Sequence, residues 1–309
     1  MERIAIVGTG LIGASIGLGL HAAKLRDIQI VGYDESGEAL AQARRRGAVD
    51  GGEQTLAAAV DGARLVIIST PALAAHAVLT EIGPHLPEGA VVTDTLSTKA
   101  EIQRWAGELL PKSISYVGGH PMAGKATSAG PAEAEATLFR DKAYCVIPSP
   151  HASEAAIRSV LGLVALLGAE PVFVDAAEHD QYVAAVSHLP MVMAFALFSL
   201  VRSSASWQDM RLLAGNGFVG ATRLASGDPH MTHDICATNG EAVIHWIDRL
   251  TVELRKYRDL IADDPGELFK TFAGAQLQRD AFLAGTDRPQ RERIDVPTAS
   301  EQMSRRTSS

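Results

Sequence analysis

The chain has 309 residues, 47% of them hydrophobic and 21% charged, the proportions of a soluble globular protein with room for one large domain or two ordinary ones. Its formal net charge of −8 argues against a nucleic-acid backbone or an acidic membrane surface as partner, and leaves a small acidic ligand open. Two cysteines, Cys145 and Cys236, are too few for a disulfide framework and fit a reducing cytoplasm; both are expected to be buried and inert.

The opening MERIAIVG leaves no space for a signal peptide before its first strand. Four β-branched runs, RIAIVG (3–8), IQIVGYD (28–34), RLVIIST (64–70) and AVVTD (90–94), read as buried strands of a parallel sheet. SYVGG (115–119), AYCVIP (143–148) and EPVFVD (170–175) are candidates for its later strands. Amphipathic segments separate them, and SGEALAQARRRG closes on Gly47, where a helix stop belongs. The alternation predicts an α/β fold with a doubly wound, Rossmann-type sheet.

GTGLIG (8–13) lies between the first strand and the first helix, the context that turns a weak pattern into a dinucleotide fingerprint. Gly8 serves the tight turn, Gly10 the approach of backbone to a pyrophosphate, and Gly13 close helix–strand packing. Leu11 and Ile12 open the helix whose free N–H groups face the phosphates. Asp34 ends the second strand, where a carboxylate accepts hydrogen bonds from ribose hydroxyls and repels a 2′-phosphate, so NAD is expected rather than NADP. Thr70, closing the third strand, completes the expected cofactor site. The bland alternative is a glycine-rich turn that binds no nucleotide.

Two further motifs fall at strand ends. DTLSTK (94–99) follows the fourth strand, and GGHPMAGK (118–125) surrounds a histidine with glycines and a proline. Such a stretch suits neither helix nor strand interior, so His120 is expected on a loop beyond a strand's carboxyl end, where open α/β sheets bind ligands. Imidazole, with an ordinary pKa of about 6.5, accepts a proton near neutrality, as oxidation of an alcohol with NAD requires. Ser97 is placed to orient the ring and Lys99 to counter negative charge. The alternative is a structural loop histidine.

After Asp175 no further strand is expected. AEHDQYVAAVSHLPMVMAFALFSLV and GEAVIHWIDRLTVELRKYRDLI both read as helices. The first contains an apolar run, Tyr182 to Val201, near membrane-spanning length; Ser187, His188 and Pro190 interrupt it, and it reads as a helix buried on most sides. In the second, Val243, Ile244, Ile247, Leu250, Leu254, Tyr257 and Ile261 form one apolar stripe. A helical half of this kind is expected to meet a second subunit. HMTHD, with His230 and His233, lacks a third ligand of suitable spacing, and no metal site is expected. The domains expected are a dinucleotide-binding domain (1–175), an all-helical dimerisation and substrate domain (176–287), and a disordered tail (288–309).

GLIGAS, DxxSxK, the GGHPMAG segment, SHLP and GFxxxTRxASxDPxMxxDIxxxN (217–239) occur in this order, and together they resemble the prephenate/arogenate dehydrogenase family of tyrosine biosynthesis over roughly residues 3–285. The resemblance implies a cytoplasmic homodimeric enzyme with NAD as cofactor and a cyclohexadiene as substrate. It implies that His120 takes the proton of the ring hydroxyl, with Ser97 as its partner. Arg223 would grip the ring carboxylate, a task suited to a planar guanidinium, and His188 and His179 would lie near the substrate. The implied reaction is NAD-dependent oxidative decarboxylation of prephenate to 4-hydroxyphenylpyruvate.

Four positions depart from the family pattern: Met191 stands where SHLPH is usual, Thr232 replaces a tryptophan, Val219 a lysine, and Lys125 a threonine or serine. They surround the expected side-chain end of the substrate. Arogenate, giving tyrosine, and 4-amino-4-deoxyprephenate therefore stand as alternative substrates. Lys125 is either a cation for a substrate carboxylate or a solvated loop lysine. A hydroxyacid or imine reductase and a catalytically silent NAD-binding sensor or scaffold are the more distant alternatives. No fused mutase or regulatory ACT segment is expected, so tyrosine inhibition would act at the active site.

Overall fold

A computed structural model of the chain describes residues 2–25, 27–124 and 130–286; Lys125 and the expected tail lie outside the described residues. The nucleotide half contains β1 (Glu2–Val7), α1 (Leu11–Ala22), β2 (Ile28–Tyr33), α2 (Gly37–Arg45), β3 (Gly51–Gly52), α3 (Leu56–Val60) and β4 (Ala63–Ile68). It continues through α4 (Ala74–Ile82), β5 (Val91–Asp94), α5 (Ala100–Leu109), β6 (Ser115–Pro121), β7 (Ala143–Pro148), α6 (Glu154–Leu166) and β8 (Glu170–Phe173). The strands form one sheet in the order β3-β2-β1-β4-β5-β6-β7-β8. The order reverses between β1 and β4, the point where such sheets open a ligand crevice.

Alternate residues of β1 supply both faces of the sheet. Ile4 and Ile6 join a core with Ile16, Leu20, Val160 and Leu163, while Ala5 and Val7 join the opposite core with Val66, Leu79, Ile102 and Trp105. Positions covered on both sides must all be apolar, which explains the unbroken hydrophobic run from Ile4 to Val7.

The sheet departs from the all-parallel expectation at β6 and β7, which run antiparallel. The expected loop around His120 is also strand: β6 continues to Pro121, with His120 opposite Cys145 of β7. Close packing explains the glycine there, because a Cβ on Gly119 would lie 2.4 Å from the carbonyl oxygen of Asp94. The two-residue β3 carried no sequence signal of its own.

The helices that follow are α7 (Ala176–Val183), α8 (Leu189–Arg202), α9 (Trp207–Met210), α10 (Asn216–Ala221) and α11 (Pro229–Thr238). The apolar run expected as one buried helix is divided. A π-helical turn, Ala184–His188, joins α7 to α8 just before Pro190, whose missing N–H interrupts the ordinary helical ladder. Its outer side is open: Val186 is 73% and Leu200 72% exposed. Cys145 and Cys236 are half-buried rather than buried, and burial raises the Cys236 thiol pKa.

Compact packing divides the described residues at Gly240, well beyond Asp175, so α7–α11 belong with the sheet in one unit. The second unit contains α12 (Gly240–Asp263), apart from its first residue, and α13 (Pro265–Ala284). Asp264 caps α13 by accepting the Glu267 N–H at 2.9 Å, and Tyr257 and Phe272 place their ring centroids 5.5 Å apart. On the α12 stripe, Val243 is buried while Ile244, Leu254 and Ile261 are exposed.

Candidate active site

The carboxyl ends of β1, β2, β4, β5 and β6 share one sheet edge because these strands are mutually parallel. Gly8 turns the chain after β1 with φ +91°, and a Cβ there would meet the Ser69 carbonyl oxygen at 2.5 Å. A Cβ on Gly13 would lie 2.0 Å from the Gly8 carbonyl oxygen, whereas beside Gly10 there is open space. The N-terminus of α1, at Leu11 and Ile12, has no side-chain cap and no acidic residue in its first turn. Free N–H groups beside an open glycine fit a pyrophosphate. Asp34 accepts hydrogen bonds from the Thr9 N–H (2.7 Å) and hydroxyl (3.1 Å) and from the Ser36 N–H (2.9 Å). It borders a cavity of about 280 Å³ with Tyr33, Leu40 and Arg44. Thr70 follows β4 half-buried, its backbone N–H beside Gly8.

His120 lies at the end of β6, three strand positions from β1, or about 14 Å at the usual spacing between strands. A buried polar cluster supports it. Lys99 has no exposed surface; its ammonium pairs with Asp94 and donates to the Gly119 carbonyl at 2.7 Å. Asp94 also accepts from the Leu96 N–H (2.8 Å) and the Tyr116 hydroxyl (2.5 Å). Burial, with Asp94 adding to it, pushes the Tyr116 phenol pKa well up. The negative charge that Lys99 counters is thus that of Asp94, a buried carboxylate.

His120 is half-buried, with Nδ1 2.9 Å from Nε2 of His179; its own Nε2 has no hydrogen-bond partner among the described residues. Burial lowers the His120 pKa well below the ordinary histidine value, and His179, Lys99 and His188 lower it further. Nδ1 of His179 lies 2.8 Å from Asp180 Oδ1. The expected orienting residue was Ser97. It is half-buried and makes no hydrogen bond to His120; His179 takes that position.

His188 is buried in the π turn, its Nδ1 3.3 Å from the Asn239 amide nitrogen and its Nε2 without a partner. Burial brings its pKa down to about 4. Arg223 begins a short 3-10 turn packed against α8 and is exposed, with no ion pair among the described residues. Thus His120, His179 and His188 come together, and Arg223 makes no hydrogen bond to any of them among the described residues. Met191 is buried, Val219 exposed and Thr232 half-buried, its hydroxyl donating to the Asp228 carbonyl. Asp180 joins the constellation without having been singled out, its only signal being its place beside His179 in EHD; Asn239, which closes the GFxxxTRxASxDPxMxxDIxxxN motif, had been given no role.

Two family models match the chain, one for the nucleotide-binding domain of prephenate dehydrogenase over residues 18–173 and one for its dimerization domain over 175–274. The chain belongs to the prephenate dehydrogenase family. Among its relatives in that family is the prephenate dehydrogenase of Bacillus subtilis, 31% identical over 91% of this chain and 76% of that protein. The cyclohexadienyl dehydrogenase of Zymomonas mobilis is also 31% identical, over 93% of this chain and 98% of its own length. The structure of A. aeolicus prephenate dehydrogenase with hydroxyphenyl propionate and NAD+ superposes with a TM-score of 0.85 at 28% identity, covering 91% of this chain and 98% of that one. NAD is the cofactor of this dehydrogenase fold, and the family supports an enzyme rather than a silent scaffold.

Proposed function

We propose that the protein oxidises and decarboxylates prephenate to 4-hydroxyphenylpyruvate. The observation that carries this reading is His120, whose Nδ1 is engaged by His179 while Nε2, at the ligand edge of the sheet, has no partner among the described residues. Bound NAD+ supplies the hydride acceptor. Nε2 of His120 takes the ring-hydroxyl proton as the C4 hydride departs, and C4 becomes a carbonyl. Loss of the ring carboxylate as CO2 sends its bonding electrons through the ring to the C4 oxygen; the ring becomes aromatic and the resulting phenolate takes the proton back from His120. Arg223, exposed and without an ion pair among the described residues, is assigned to that carboxylate, and Gly8–Gly13, Asp34 and Thr70 to the cofactor. His179 and His188 border the substrate, with Ser97 in the same loop as Lys99.

Arogenate is the second reading, favoured by equal identity to a cyclohexadienyl dehydrogenase and a prephenate dehydrogenase. The protein acts as a cytoplasmic homodimer. Exposed Phe269, Phe272, Leu277 and Phe282 on α13 support a subunit contact through the helical part, a functional domain from residue 176 onwards. The test is NADH formation by the purified protein with prephenate, arogenate and 4-amino-4-deoxyprephenate in parallel. Faster turnover of prephenate is expected; NAD+ binding without turnover of any of them refutes the reading.

A further inference from the structure

We propose that Asp180 sets opposite tautomers on two histidines, holding His120 as a proton acceptor and His188 as a proton donor, each at Nε2. The proposal rests on the catalytic reading of His120 given above.

The first branch starts from the Asp180 carboxylate. Its Oδ1 accepts the Lys99 N–H and its Oδ2 the Ala100 N–H, both at 2.8 Å, at the start of α5. Two backbone donors make both oxygens acceptors, so His179 Nδ1, 2.8 Å from Oδ1, must carry the proton. His179 Nε2 then has only a lone pair, and its 2.9 Å contact requires a donor at His120 Nδ1. A neutral imidazole has one N–H, which leaves a lone pair on His120 Nε2, the form a general base needs.

The second branch starts from the Asp180 main-chain carbonyl. It accepts the Asn239 amide N–H at 2.8 Å, which fixes the amide orientation, because the flipped form would set oxygen against oxygen. The same amide nitrogen lies 3.3 Å from His188 Nδ1. A donor there makes Nδ1 an acceptor and places the proton on Nε2. That atom is buried and has no partner among the described residues, which leaves its N–H available to an acceptor oxygen of a ligand. Asp180 and Asn239 are therefore positioning residues, acting through the imidazoles.

The experiment is NMR of the full-length protein with 15N-labelled histidine, reading which ring nitrogen bears the proton; His120→Gln and His188→Gln assign the signals. Nδ1–H is expected for His120 and Nε2–H for His188 in the wild-type protein, with or without NAD+. In Asp180→Asn an amide donor replaces an acceptor, and His120 is expected to move towards Nε2–H while kcat falls about 10²-fold. Because Asp180 also holds the start of α5, His179→Phe is made beside it; this variant keeps the cap and cuts the path, and the same kcat loss is expected at near-native melting temperature. Nε2–H on His120 or Nδ1–H on His188 in the wild type overturns the proposal, as does an unchanged kcat in both variants. The wild-type tautomers are read without substrate. A protein that shows them but turns over no cyclohexadiene sinks the proposed reaction and not the tautomer assignment.

Discussion

Replacing Lys99 with methionine removes the ammonium that pairs with Asp94 and keeps most of the side-chain volume. Both groups have essentially no exposed surface, and removing one partner of such a pair costs about 3–5 kcal/mol. Protonation sets an upper limit. If the orphaned Asp94 takes a proton in the folded variant, the cost is that of protonating an ordinary carboxyl of pKa about 3.9, or about 4.2 kcal/mol at pH 7 and about 1.5 kcal/mol at pH 5. The folded variant then binds a proton that the unfolded chain lacks, so its deficit shrinks as pH falls. The hydrogen bonds from Tyr116 and Leu96 to Asp94 remain and moderate the loss. Urea unfolding of wild type and Lys99→Met at pH 5 and pH 7 measures the difference. A loss below about 1 kcal/mol at pH 7, or one independent of pH, refutes the view that this pair is a buried support.

His120→Asn is expected to lower kcat about 10²-fold or more while NAD+ affinity, measured by titration calorimetry, stays near wild type. Since burial, His179, Lys99 and His188 all lower the His120 pKa, kcat/KM should hold level from pH 8 down to about 6.5 and fall only in more acid solution; a midpoint above 6.5 contradicts this. His188 has a folded pKa of about 4. The unfolded chain therefore binds its proton first as pH drops below about 6.5, and about 3 kcal/mol of stability is lost by pH 4. His188→Leu should flatten that part of the stability profile. Asp34→Ala should weaken NAD+ binding about tenfold and narrow its advantage over NADP+, both read by fluorescence titration.

The turn between β1 and α1 was legible because its chemistry is local, with Gly8, Gly10 and Gly13 read directly from their spacing. His120 was legible as a residue and not as a place. Its strand depends on pairing with β7 and on the approach of the Asp94 carbonyl to Gly119, both tertiary facts that override the loop-like look of GGHP. The contact between His120 and His179 was not legible for a related reason. Ser97 looked suitable by motif, but the contact with His179 depends on how α7 meets the start of α5, through Asp180 and two backbone N–H groups some 80 residues away in the chain. The long apolar run was recognised as helical, while its exposed side was not, because composition alone does not say what a surface rests against.

The segment from α7 through the π turn into α8 has two unlike sides. His179, Asp180 and His188 are buried on it, while Val186, Met193, Leu197 and Leu200 are exposed. A ligand on the imidazoles and a neighbouring subunit on the apolar side would press on the same backbone. Any free energy exchanged between them is reciprocal: if substrate tightens subunit association by some factor, association tightens substrate binding by that factor. Substrate affinity would then depend on protein concentration.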